Sequence, residues 1–148
     1  MEFLRHCVVP FCIIISIASA GYSVPISHAQ SYVGQSIGSG ECAAGVQTVF
    51  YYYYNYWPLG LTSTWTRGKK VLGDYTIPTG TAIASFNDNG KYDCTFGCHA
   101  AIYISQDSIG NTMKVYDQYS TKNWGVRTLY LHSSNPQSNS PDRFYVIE

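Results

Sequence analysis

Charge is what this sequence has least of. Lys and Arg number 9, Asp and Glu number 9, and together they make up only 12% of 148 residues, with a net charge of zero. With no basic excess there is no electrostatic footprint for a phosphate backbone, so nucleic acid drops out as a partner. A hydrophobic content of 45% against so little charge also excludes a disordered chain or polyelectrolyte. Internal repeats are absent, and beyond a run of tyrosines there is no low-complexity tract. Past the first twenty residues no apolar stretch approaches the ~20 residues needed to cross a bilayer. The length allows one domain and little more. What is abundant is aromatic: 16% of residues, with 14 tyrosines. Amphipathic rings in a charge-poor chain suit an exported domain that touches polymers or other surfaces.

The first twenty residues read as an export signal. Arg5 supplies the positive start, residues 7–17 are apolar except for Ser16, and Ala18-Ser19-Ala20 gives the small-x-small pattern of a cleavage site. Cleavage before Gly21 leaves residues 21–148 as the folded domain. The alternative is an uncleaved membrane anchor, but the apolar run is only about half the ~20 residues of a spanning helix. The expectation is therefore a secreted, extracellular protein with no membrane association after cleavage.

Export changes the meaning of the cysteines. Cys7 and Cys12 leave with the signal, and Cys42, Cys94 and Cys98 remain. An odd number in an oxidising compartment points to one pair and one free thiol. Cys94 and Cys98 form the natural pair, because a tight turn through Gly97 brings their Cα atoms within disulfide range. Such a short loop contributes about 2 kcal/mol by chain entropy, so its effect is local stiffening just before His99. Cys42 is left unpaired.

Along the domain, residues 21–31 read as an extended arm and residues 33–41 as a loop punctuated by Gly34, Gly38 and Gly40. Cys42, Val46, Val49, Phe50 and Tyr53 recur at spacings of three and four, predicting a helix that starts at Cys42 and is ended by Pro58 and Gly60. Residues 63–73 read as a surface segment around a short turn. Strands are predicted over 81–86, 99–105, 113–118, 126–131 and 143–147. The turn at 107–111 makes the second and third of these an antiparallel hairpin, and residues 133–141 read as a polar loop. One helix opened by a cysteine and followed by a meander of strands is an α+β arrangement with the helix packed on an antiparallel sheet.

The chemistry concentrates on three residues. A thiol at a helix N-terminus ionises more readily, because exposed N–H groups and the helix dipole favour negative charge there. That makes Cys42 a candidate nucleophile. His99 opens the strand after the cysteine pair and is the candidate base. Asp117 lies on the paired strand, where a carboxylate can orient the imidazole. Other readings stand beside these. Cys42 can be a small core residue, His99 a satisfied core histidine and Asp117 an edge charge. His132 is a rival base beside a polar loop. Cys42, Cys94, Cys98 and His99 have the ligand types of a zinc site but lack a second well-spaced pair.

The segment Tyr32-Val33-Gly34-Gln35-Ser36-Ile37-Gly38-Ser39-Gly40-Glu41-Cys42-Ala43 resembles the cysteine motif of the second family of bacterial type VI secretion amidase effectors. Gly80-Thr81-Ala82-Ile83-Ala84 and His99-Ala100-Ala101-Ile102-Tyr103-Ile104 resemble its central strands. Val115-Tyr116-Asp117-Gln118 and Phe144-Tyr145-Val146-Ile147-Glu148 extend the match. The resemblance implies a papain-like (NlpC/P60-type) fold with an N-terminal catalytic helix. It implies cysteine peptidoglycan amidase activity with Cys42 and His99 catalytic, Asp117 in third position, and a usual cut between D-alanine and meso-diaminopimelate. Injected bacterial effectors need no export signal. The signal and the Cys94–Cys98 pair make the chain more similar to the domesticated amidase effectors of ticks and mites, secreted against bacteria. The expectation is a monomer acting on bacterial peptidoglycan without cofactor or metal. Its rivals are a secreted wall-binding module without turnover, and a toxin-like cysteine protease or transglutaminase-type enzyme on the same scaffold.

Overall fold

The structure, a computed structural model, describes residues 21–95, 97–133 and 136–148. The expected export signal, residues 1–20, lies outside the described residues. A helical turn α1 (Ile26–Gln30) precedes helix α2 (Cys42–Tyr54). Helix α2 lies on a sheet of strands β1 (Arg67–Lys70), β2 (Ala82–Ser85), β3 (Ala100–Gln106), β4 (Thr112–Tyr119), β5 (Lys122–Tyr130) and β6 (Phe144–Ile147). The strands are ordered β1-β6-β2-β3-β4-β5 and every pairing is antiparallel. This is the α+β arrangement read from the sequence.

Alternation along the strands divides the core in two. Ala82, Ala84, Ala100, Ile102 and Tyr116 face α2, where Val46, Val49 and Phe50 are fully buried. Ile83, Ala101, Tyr103, Val115 and Val146 pack into a second cluster with Val71 and Ile77. With both faces covered, β2 is buried along its whole length, and such strands read as continuous apolar runs rather than alternating ones. Gly45 lets α2 approach β4: a Cβ there would lie 2.8 Å from Gln118 Cδ.

Four expectations need correction. The stretch read as an extended arm holds α1, entered from Pro25. Its His28 Nε2 lies 3.0 Å from the Val49 carbonyl and Ala29 is fully buried, so packing on α2 makes the turn. Helix α2 ends at Asn55, before Pro58, because Asn55 adopts the left-handed conformation (φ 59°) that asparagine tolerates. The segment read as a surface turn contains β1, an exposed strand paired with β6, whose polar sequence carries no alternation to reveal it. The polar loop includes the short helix α3 (Pro136–Asn139) and a 3₁₀ turn at Pro141–Arg143.

Candidate active site

Cys42 is the first residue of α2, preceded by Glu41 in extended conformation. The lead-in needs glycine: Gly38 and Gly40 have φ of 58° and 85°, a region L-residues avoid. Gln118 on β4 ties this loop to the sheet. Its carbonyl accepts from the Ile37 N–H at 3.0 Å, and its amide donates to the carbonyls of Ile37 at 2.6 Å and Glu41 at 3.0 Å. Among the described residues no side chain caps the first turn of α2, so its N–H groups and positive dipole end remain directed at the Cys42 end. Cys42 carries a free thiol and sits at the wall of a cleft of about 470 Å³.

His99 stands immediately before β3 and is clamped by Ser85 on the neighbouring strand. The His99 N–H donates to Ser85 Oγ at 2.8 Å, and the Ser85 N–H donates to the His99 carbonyl at 2.9 Å. Pairing of β3 with β4 then brings His99 to Asp117, with Nε2 to Oδ2 at 2.8 Å. Nε2 being committed to Asp117, Nδ1 is the ring nitrogen left to exchange a proton with Cys42, to which His99 is electrostatically coupled. The three residues singled out in the sequence are thus brought together from the start of α2, the residue before β3, and β4.

Asp117 is fully buried and does not stand alone. Lys122 Nζ lies 3.1 Å from Oδ1 and Arg127 Nε 2.6 Å from Oδ2. Arg127 also donates to Asn139 Oδ1 and to the Ser138 carbonyl, fastening the α3 segment to the rim of the cleft. Burial raises the Asp117 carboxyl, but hydrogen bonding to His99 and the charges of His99, Arg127 and Lys122 bring it below its ordinary value. Burial lowers the His99 imidazole, and Asp117 with Cys42 outweighs burial and raises it. Burial raises the Cys42 thiol. His99, the Tyr92 hydroxyl and the Ala100 N–H together reverse that and lower it. An acidified thiol beside a more basic imidazole favours the thiolate–imidazolium pair, the reactive form of a cysteine nucleophile.

Sequence reasoning missed four residues here. Lys122, Arg127 and Gln118 act through pairings that only the folded sheet creates. Tyr92, whose hydroxyl is 3.6 Å from Cys42 Sγ, lies in an irregular loop with no periodic signal. Cys94 and Cys98 are joined in a disulfide and line the cleft with Glu41, His99 and Tyr119. The bond takes two of the four side chains of the zinc reading, and among the described residues no group of three or more potential ligands is suited to a metal ion. His132 is exposed, in left-handed conformation (φ 64°) past the end of β5, and does not line the cleft.

The chain is similar to known proteins in sequence and in fold. The family model described as "Domesticated amidase effector 2" matches residues 13–147. A protein from Salmonella typhi named "Type VI secretion amidase effector 2 protein" is 41% identical over 66 residues. That alignment takes in 44% of this chain and 47% of the relative, so the match spans about half the length of the curated protein. The solved structure of a type 6 secretion amidase effector 2 superposes with a TM-score of 0.67 at 24% identity, covering 86% of this chain and 94% of that one. The shared fold is the papain-like α+β arrangement expected from the sequence.

Proposed function

The chain belongs to the domesticated amidase effector 2 family, and on that premise we propose that it is a secreted cysteine amidase that hydrolyses peptide crosslinks of bacterial peptidoglycan in defence against bacteria. The observation that carries this reading is Cys42 and His99 together in the lining of one open cleft, with buried Asp117 hydrogen-bonded to the imidazole behind them. The D-alanine–meso-diaminopimelate bond is the crosslink we assign.

Cys42 Sγ, as thiolate, attacks the carbonyl carbon of the crosslink. The tetrahedral oxygen is held by the Cys42 N–H at the uncapped start of α2. His99, as imidazolium, gives its proton to the leaving amine, and the C–N bond breaks to leave a thioester. Neutral His99 then takes a proton from water, the hydroxide attacks the thioester, and the carboxylic acid departs as the Cys42–His99 pair is restored. Asp117 keeps Nε2–H pointed inward and supports the imidazolium charge throughout.

The test is digestion of purified sacculi with diaminopimelate stems by residues 21–148 and by Cys42→Ala, with muropeptides resolved chromatographically. Loss of crosslinked dimers with the parent chain alone supports the reading. Equal loss with both proteins removes Cys42 as nucleophile. Sedimentation with sacculi and unchanged muropeptides would make the protein a wall-binding module, and cleavage of protein substrates alone a protease.

A further inference from the structure

We propose that Tyr92 is a further residue of this site, its phenol donating a hydrogen bond to Cys42 Sγ and setting the range of pH over which the sulfur is nucleophilic. The proposal rests on the reading of Cys42 as nucleophile given above.

The hydroxyl lies 3.6 Å from Sγ, hydrogen-bond distance for sulfur. Three constraints aim it there. The ring packs against Trp65 at 4.8 Å and Phe86 at 6.4 Å between centroids. On one side its loop is closed by Asn87, whose N–H donates to the Lys91 carbonyl and whose Oδ1 accepts from the Lys91 N–H, both at 2.9 Å. On the other side stands the Cys94–Cys98 disulfide. Trp65 is itself fixed by its indole N–H, which donates to the Leu59 carbonyl at 2.7 Å.

Tyr92 differs in kind from the other donors to the sulfur. His99 titrates and carries a proton through the reaction, and the Ala100 N–H is backbone. Burial, then the negative charge of Cys42, then Glu41 push the Tyr92 phenol far above its ordinary value. It therefore remains a neutral donor wherever the thiol titrates. A donor of this sort favours thiolate over thiol without adding a titration of its own. It stabilises the resting anion, so its effect is felt on the acid side of the pH profile and fades where the sulfur is fully ionised. The groups around Cys42 are His99 from the start of β3, with Asp117, Lys122 and Arg127 behind it, Glu41 from the helix lead-in, and Tyr119 at the cleft wall. Tyr92→Phe changes none of these and keeps the ring.

The experiment is the rate of Cys42 alkylation by iodoacetamide as a function of pH, in residues 21–148 with the disulfide intact. Tyr92→Phe is expected to raise the midpoint. On the acid side, alkylation slows about tenfold for every pH unit by which the midpoint rises. The acid limb of kcat/KM on sacculi moves with it while the alkaline limb and plateau stay. Thermal melting verifies that the variant is folded. 3-Fluorotyrosine at position 92, a stronger donor with the same ring, moves the midpoint the opposite way. An unmoved midpoint in folded Tyr92→Phe overturns the proposal, as does a uniform loss of turnover with both limbs in place. Alkylation needs no turnover, so it judges Tyr92 even if Cys42→Ala were to leave sacculus cleavage intact and end the reading of Cys42 as nucleophile.

Discussion

Asp117 Oδ2 meets His99 Nε2 at 2.8 Å, and the carboxylate that makes this contact has no solvent exposure. The pair is the hinge between the chemistry and the sheet, since the same carboxylate gathers Lys122 and Arg127.

Replacing Asp117 with Asn keeps the shape and removes the charge. The imidazolium loses its support and two cations lose their shared anion. The expected outcome is a kcat lower on the order of a hundredfold with KM little changed, measured on soluble crosslinked muropeptides. Stability should fall by roughly 3 kcal/mol in urea, the scale for breaking a buried ion pair from one side.

The pH dependence has two parts with known signs. For activity, the lowered thiol and the raised imidazole predict a bell-shaped kcat/KM. Its acid limb lies below the ordinary thiol value of 9.0 and its alkaline limb above the ordinary imidazole value of 6.5, both belonging to the coupled pair. For stability, the folded Asp117 carboxyl lies below its ordinary 3.8. Its contribution is therefore complete above that value and is lost as pH falls through the folded value. Urea midpoints measured downward from pH 5 should drop accordingly, and this drop should be smaller in Asp117→Asn.

Gln118 offers a separate test of how Cys42 is positioned. Gln118→Ala leaves the Ile37 N–H without its acceptor and takes one of two donors from the carbonyls of Ile37 and Glu41, which keep the N–H groups of Gly40 and Gly45. We expect a stability loss of about 1–3 kcal/mol and slower alkylation of Cys42, as the loop before the helix loosens. Gly45→Ala pushes a methyl group into the same side chain and should reproduce the slowing without deleting a hydrogen bond. Normal alkylation in both variants would show that the loop is held by other contacts.

Mass spectrometry can count the thiols. Residues 21–148 should take up one alkyl group at Cys42 without reduction and three after it. Cys94→Ser with Cys98→Ser should lower stability by about 2 kcal/mol. It should also depress sacculus cleavage at neutral pH, because the bond stiffens the segment between Tyr92 and His99.

The sequence displayed Cys42, His99 and Asp117 because each sits at a recognisable place: a helix start, the head of an apolar strand, and the paired strand across a turn. It concealed what surrounds them. Arg127 reaches Asp117 only through the β4–β5 pairing, and in the chain it looks like an ordinary strand charge. Tyr92 owes its place to Trp65 and Phe86, contacts that leave no local pattern. The helical turn α1 was hidden for the same reason, since what holds it is α2. Strand β1 was hidden because its four residues are polar and exposed in a position that β6 alone makes extended.

Strand β6 follows every other strand in the chain yet is inserted between β1 and β2. Stepwise synthesis therefore cannot lay the sheet down in order, and β1 waits without a strand partner until residues 144–147 arrive. A nonsense codon upstream of Phe144 would yield no weakened enzyme. It would leave the wholly buried edge of Ile83–Ser85 bare, a template for aggregation and a substrate for quality control.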